Sequence, residues 1–256
     1  MTTIIGNGTL GKALGKAMKI VPLPKSDEQI TDDVVFICVP TPTIDYKQDL
    51  SEVEQAISRI KQAGIVVIRS TILPGTTDRL QQENIFPIMF LPEFGKEKTM
   101  EEDIANPEVY IFGMTEKSKP FGGMVLDVLP RSPKRVLVSA MSAEFAKYFS
   151  NVWRASQITT ANTLYDWLLS QNGNDLVYQQ ALGAILNLSD IPKYGWKIFN
   201  EGKRGYSGKC LPKDFQAALG QYPNQLWQDI ENYNNRLNPK TKLEEINENN
   251  KNRMEQ

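Results

Sequence analysis

Apolar positions in the first half of the chain come in short unbroken runs: TTIIG (2–6), VVFICVP (34–40), IVVIRS (65–70), FPIMFLP (86–92), EVYIFG (108–113) and KRVLVS (134–139). Continuous β-branched runs suit strands buried on both faces of a parallel sheet, whereas a half-solvated sheet alternates apolar and polar residues. Between them, GTLGKALGKAM (8–18) and SEVEQAISRIKQA (51–63) carry helical spacing, and KIVPLP (19–24) reads as a short extended stretch limited by its prolines. Strands separated by helices predict a doubly wound α/β domain over 1–138.

The pattern changes at Ser139. From there to Gly173 the chain has neither proline nor glycine, which predicts one long helix. A second helix is expected in DLVYQQALGAILN (175–187), then a loop-rich stretch to 211 and two short helices to about 236. Residues 139–236 therefore read as an all-α domain. Residues 237–256 are polar and rich in Asn, Glu and Lys, as in a mobile tail.

Composition narrows the chemistry. The 256 residues are 41% hydrophobic and 23% charged, with a net charge of −1, so nothing draws the chain globally to nucleic acid or an anionic membrane. No apolar run approaches the roughly 20 residues of a membrane span, and MTTIIGNG lacks a signal peptide's regions. Two cysteines in unlike contexts do not make a disulfide framework, which points to a reducing, cytoplasmic setting. The absence of histidine excludes histidine acid–base chemistry and histidine metal ligation, and no other motif suggests a metal site.

GNGTLG (6–11) sets Gly6, Gly8 and Gly11 as G-x-G-x-x-G between a strand and a helix. That context favours a dinucleotide site, with the pyrophosphate at the helix N-terminus, over a plain turn. Asp27 has roughly the spacing of a ribose-binding acid, but it follows PLPK rather than ending a clean strand. Only about ten residues separate KIVPLP from VVFICVP, too few for a helical crossover, so a strand–helix unit is missing here. Lys25 would equally favour a 2′-phosphate, which leaves NAD and NADP both open.

In GYSGKCLPKD (205–214), Pro212 suits a first helical position and puts Cys210 just outside a helix N-terminus. The helix dipole, with Lys209 and Lys213 alongside, favours a thiolate there. Asp214 shares the cysteine's face of the turn, and Gly205 and Gly208 allow a substrate close approach. The plainer alternative is a small residue capping a loop. Cys38 reads as a buried strand residue. On the long helix Glu144, Lys147, Asn151 and Asn162 fall on one face, and by spacing alone a solvated face explains them.

VVFICVPTPT (34–43), VVIRSTILPGTT (66–77), LPEFGKEKTMEEDIANPEVYIFG (91–113), SAEFAKYFSNVWRAS (142–156) and GYSGKCLPKD (205–214) together resemble, in order, the signatures of the UDP-glucose/GDP-mannose dehydrogenase family. The resemblance implies a shortened Rossmann-like domain followed by a helical central domain that dimerises through the long helix 140–171, where Trp153, Leu164 and Trp167 offer apolar surface. It implies NAD-dependent oxidation of a nucleotide sugar's C6 alcohol, UDP-glucose in type, to the uronic acid used in polysaccharide biosynthesis. Cys210 matches the nucleophile that carries a thiohemiacetal and then a thioester. Lys147 and Asn151 match the oxyanion-stabilising pair, Asp214 and Thr71 the water- and proton-handling groups, and Glu93 the carboxylate of thioester hydrolysis. Gly6, Gly8, Gly11, Val39, Pro40 and Thr41 would line the cofactor, and Phe94, Gly205 and Gly208 the substrate.

Three departures accompany the resemblance. The family's GGSC loop is Ser207-Gly208-Lys209-Cys210 here. The segment 19–33 reads as a lead-in to the next strand rather than a second strand. The family's C-terminal nucleotide-binding domain has no counterpart in these residues. Two other readings stand beside the first: a truncated relative that binds a nucleotide or a partner chain without turnover, and a one-step dehydrogenase of the 3-hydroxyacid type. Retention of Cys210 argues against the latter, since a single alcohol oxidation needs no thiol.

Overall fold

The computed structural model describes residues 1–24, 28–95, 97–200 and 202–238. Two compact units divide the chain, Met1–Ser150 and Asn151–Gln256, with the cut inside a continuous helix.

The first unit runs β1 (Thr2–Ile5), α1 (Thr9–Met18), β2 (Ile30–Ile37), a small hairpin of β3 (Thr43–Ile44) and β4 (Lys47–Gln48), α2 (Ser51–Ser58), β5 (Ile60–Ile68), α3 (Thr76–Glu83), β6 (Ile88–Phe90), α4 (Met100–Ala105), β7 (Tyr110–Met114), α5 (Gly122–Val128) and β8 (Arg135–Ser139). Among the described residues six strands form one sheet, ordered β1-β2-β5-β6-β7-β8. Five of its apolar runs feed two cores, whereas both-face burial fails at the edge strand β8, which is mostly exposed, Leu137 to 69%. Val34, Phe36, Val67 and Met89 pack on the face with Leu14, Ile104 and Val125, while Val35, Ile37, Val66 and Phe90 pack on the face with Val53, Leu80 and Ala143. Unbroken apolar runs are therefore what both-face burial demands.

The sheet is mainly parallel, with one exception. β7 runs antiparallel to β6, pairing Met89 with Met114 and Phe90 with Gly113. A continuous apolar run reads alike in both directions, so the sequence pattern carries no sign of it. The expected helix over 51–63 is also corrected: α2 stops at Ser58 and β5 starts at Ile60. Pairing overrides helical spacing there, since Ile30 lies opposite Ile60 and the Ile30 N–H donates to the Arg59 carbonyl at 2.8 Å. α4 and α5 escape the pattern because they are short, with Ile104 and Val125 their buried residues, and α3 because Leu80 is its one buried apolar residue.

Beyond β1 the second strand is reduced to one residue. Leu23 forms an isolated parallel bridge with Ile5, its N–H donating to Ile4 O at 2.8 Å and its carbonyl accepting from Gly6 N at 2.9 Å. The segment 19–33 thus does more than lead into the next strand, because Leu23 takes the place of a second strand at the sheet edge. Lys25 and Asp27, the cofactor-selecting candidates, lie outside the described residues, as does the polar tail from 239.

Helix α6 (Ala140–Ser170) ends the first unit and starts the second, which continues with α7 (Asp175–Ile185), α8 (Leu211–Gln221) and α9 (Gln225–Leu237). One core of the second unit gathers Ala161, Tyr165, Tyr178 and Ile198, and another gathers Ala155, Tyr206 and Phe215. Asn174 and Asn224 cap α7 and α9 through their side chains. Along α6, Phe149, Trp153 and Trp167 are more than half exposed. No helix among the described residues is long and apolar enough to cross a membrane.

Candidate active site

In the first unit the glycine-rich turn follows β1 directly. Gly6 has φ +109°, and a Cβ there would lie 2.3 Å from the Cys38 carbonyl oxygen; one on Gly11 would lie 1.9 Å from the Gly6 oxygen. Both are glycine because backbone passes against them. Gly8 differs. It caps α1 with no side-chain hydrogen bond, and a Cβ on it would meet nothing within 4 Å. The N-terminus of α1 is thus an open cradle of backbone N–H groups, which fits a dinucleotide's pyrophosphate. A cavity of about 270 Å³ adjoins it, lined by Gly6, Asn7, Val39 and Pro40 together with Glu52 of α2 and Arg59 just beyond that helix.

Thr41 and Thr71 meet next to this turn. The Thr41 hydroxyl donates to the Thr71 carbonyl at 2.7 Å, and Gln48 Nε2 donates to the same oxygen at 3.0 Å. Ser70 Oγ accepts from Val39 N at 3.0 Å and donates to Val39 O at 2.7 Å, which stitches the loops after β2 and β5 together.

After β6 the chain turns through Leu91–Gly95 and brings Glu93, Phe94 and Lys147 together. Glu93 Oε1 accepts the backbone N–H groups of Phe94 at 2.9 Å and Gly95 at 2.8 Å, and Oε2 accepts from Arg69 Nη2 at 2.5 Å. Gly95 allows this closeness, since a Cβ there would stand 3.1 Å from Glu93 Oε1 and 2.7 Å from Asp103 Oδ2. Lys147 is 7% exposed, donates to the Glu93 carbonyl and holds its ammonium 5.3 Å from the centre of the Phe94 ring. Cys38 and Tyr110 lie in the electrostatic reach of Arg69 and Glu93. Burial pushes the Cys38 thiol up to about 12, and the Tyr110 hydroxyl likewise, against the opposing pull of Arg69. Cys38 is therefore the inert, buried residue its sequence context predicts.

Glu144 has a different task. It is fully buried and accepts from Gly75 N at 2.6 Å, Thr77 N at 2.8 Å and Thr77 Oγ1 at 2.6 Å, thereby capping α3 from outside. Burial raises its carboxyl above the ordinary value, with those hydrogen bonds opposing. The solvated-face reading of α6 fails on this count: Glu144, Lys147, Asn151 and Asn162 are all buried.

In the second unit Cys210 is exposed and caps α8, with Pro212 second in the helix rather than first. The Asp214 N–H donates to the Cys210 carbonyl at 3.0 Å, and the Asp214 carboxylate, 1% exposed, accepts from Asn151 Nδ2 at 2.6 Å and from Lys213. Asn151, Asp214 and the cysteine loop are thereby brought together. Gly205 and Gly208 take left-handed φ values of +73° and +82°, and only Gly205 is crowded: a Cβ on it would lie 2.3 Å from Asn234 Oδ1, whereas Gly208 faces open space.

Two supports of this loop escape sequence reasoning. Asn234 of α9 brackets Tyr206, accepting from its N–H at 2.7 Å and donating to its carbonyl at 3.1 Å. Arg204 donates to Asn162 Oδ1 at 3.1 Å, pairs with Asp166 at 2.6 Å and stacks 5.2 Å from the Tyr165 ring. Neither carries a motif. Arg69 offered one signal, a charge closing an unbroken apolar run.

Residues 22–126 match the NAD binding domain of the UDP-glucose/GDP-mannose dehydrogenase family, and residues 141–236 match its central domain. A UDP-glucose 6-dehydrogenase of Pseudomonas aeruginosa is 29% identical over 228 residues, 80% of this chain and 49% of that one. A GDP-mannose 6-dehydrogenase of the same organism is 27% identical over 210 residues, 73% of this chain and 46% of that one. The chain spans about half the length of the curated relatives it matches. In fold it is similar to a UDP-D-ManNAc dehydrogenase from Pyrococcus horikoshii, with TM-score 0.76 and 21% identity over 93% of this chain and 69% of that one. A UDP-glucose dehydrogenase from Pyrobaculum islandicum gives TM-score 0.71 at 24% identity, over 93% of this chain and 67% of that one.

Proposed function

Since the chain belongs to the UDP-glucose/GDP-mannose dehydrogenase family, we propose that it oxidises the C6 alcohol of a nucleotide sugar, a UDP-sugar of the glucose type, to the carboxylate in two NAD-dependent steps. The observation that carries this reading is the Asn151–Asp214 hydrogen bond of 2.6 Å at a helix whose N-cap is an exposed cysteine. A cysteine there, backed by a buried carboxylate and an amide, is the arrangement a covalent oxidation needs and a one-step oxidation does not.

Gly6, Gly8 and Gly11 would hold the pyrophosphate, and Val39, Pro40 and Thr41 the adjoining part of the dinucleotide. Bound NAD would accept a hydride from C6 at each oxidation. In the first oxidation the hydroxyl proton leaves through water ordered by Thr71 and Asp214, and the C6 aldehyde results. The Cys210 thiolate then adds to C6, forming a C–S bond, and Lys147 and Asn151 stabilise the charge on the oxygen. Loss of a second hydride from the same carbon leaves a thioester. Glu93 takes a proton from water, the water oxygen bonds to C6, the C–S bond breaks and Cys210 leaves as thiolate. One alcohol, one water and two oxidant equivalents give one carboxylate, two reduced cofactors and three protons. Phe94, Gly205 and Gly208 would border the sugar. The exposed aromatics of α6 support a homodimer through that helix, which light scattering would weigh directly.

The test is the count of reduced nicotinamide formed from excess NAD with limiting UDP-glucose, and then GDP-mannose. Two equivalents per sugar are expected, falling to one or none in Cys210→Ser. Silence from folded protein with each sugar would overturn the proposal.

A further inference from the structure

Arg69 follows the last residue of β5, is 3% exposed and has no part in the chemistry above. Its Nη2 reaches Glu93 Oε2 at 2.5 Å, yet Nε and Nη1 are buried without a hydrogen-bond partner among the described residues. Unpaired buried donors are costly, so an apolar side chain would suit this place better unless the charge is needed. The exposures of the pair are unequal, 2% for the Arg69 side chain and 18% for that of Glu93. The guanidinium is therefore the deeper of the two groups and the carboxylate the more accessible.

The role of Arg69 follows from the acceptor sites of the Glu93 carboxylate. A carboxylate offers about four lone-pair sites. Phe94 N–H and Gly95 N–H fill those of Oε1, and Arg69 fills one on Oε2. One site on Oε2 is left for a water, and the oxygen that carries it is the one Arg69 holds. We propose that Arg69 is a positioning residue for Glu93, fixing the carboxylate so that its remaining lone pair meets the water that hydrolyses the Cys210 thioester. This rests on the function proposed above.

A double-mutant cycle in the full chain tests it, using wild type, Arg69→Met, Glu93→Gln and the double variant, followed by rapid-mixing nicotinamide absorbance. Both single variants should release two reduced cofactors per cysteine in a burst at the wild-type rate and then turn over about 100-fold slower, the loss expected of a misplaced catalytic group. On the Glu93→Gln background Arg69→Met should change nothing further. A slowed burst, or an equal loss with and without the Glu93 carboxylate, would make Arg69 structural and overturn the inference. Should Arg69→Met alone fail to fold, the double variant against Glu93→Gln carries the same comparison, because the unpaired charge is then gone. A silent wild type overturns the function itself, whereas an active wild type with an unimpaired Arg69→Met overturns only the role of Arg69.

Discussion

Two glycine-bearing loops, one in each unit, are held in opposite ways. The turn at Gly6–Gly11 is fixed by main chain: Cys38 carbonyl against Gly6, Gly6 carbonyl against Gly11, and the Leu23 bridge alongside. The cysteine loop at 205–210 is fixed by side chains, Asn234 around Tyr206 and Arg204 on Asn162 and Asp166. In each loop one glycine stands in open space, Gly8 and Gly208. A main-chain scaffold leaves its mark in local spacing, whereas a side-chain scaffold depends on residues far along the sequence.

The largest expected break is Gly11→Ala. Its Cβ would stand 1.9 Å from the Gly6 oxygen, and backbone must move to admit it. A loss of about 3 kcal/mol or more in urea unfolding is expected, with NAD binding abolished. Next comes Asn234→Ala, which strips both partners from the buried Tyr206 peptide groups and should cost about 2–4 kcal/mol. Asn234→Asp keeps the acceptor for Tyr206 N–H but sets a carboxylate oxygen against the Tyr206 carbonyl, so it should cost at least as much. An Asn234→Ala variant as stable as wild type would contradict the side-chain account of this loop.

Gly8→Ala sharpens the contrast from the other side. With φ −81° and nothing within 4 Å, alanine fits, and stability should stay within about 0.5 kcal/mol of wild type. Calorimetric NAD affinity should nonetheless drop about tenfold, because the methyl occupies the space a pyrophosphate would approach. The smallest effect concerns Glu144. Its folded carboxyl titrates above the value of 4.5 that the unfolded chain keeps, so the folded state holds the proton longer. Stability should therefore fall as pH rises from about 4.5 through the raised value and level off above it. Urea midpoints of Glu144→Gln should lack that slope.

The same contrast explains what was legible. All but one of the both-face strand runs, the glycine turn, the long helix and the cysteine at a helix start rest on local pattern, while the run at β8 forms an exposed edge strand; the shortfall of residues before β2 exposed the missing strand–helix unit. The antiparallel β7 and the early start of β5 did not show, because each is decided by a partner strand. Lys147 and Asn151 looked like a solvated face, since helical spacing cannot say which side is covered. Arg69 and Asn234 act on Glu93 and Tyr206 across 24 and 28 residues, beyond the reach of any motif.

The most direct test of the account is the mass of the Cys210 peptide after acid quench of the Glu93→Gln variant mixed with NAD and UDP-glucose. The account predicts a sugar-nucleotide acyl adduct on Cys210 together with two reduced cofactors per chain. Two reduced cofactors with Cys210 unmodified would contradict it.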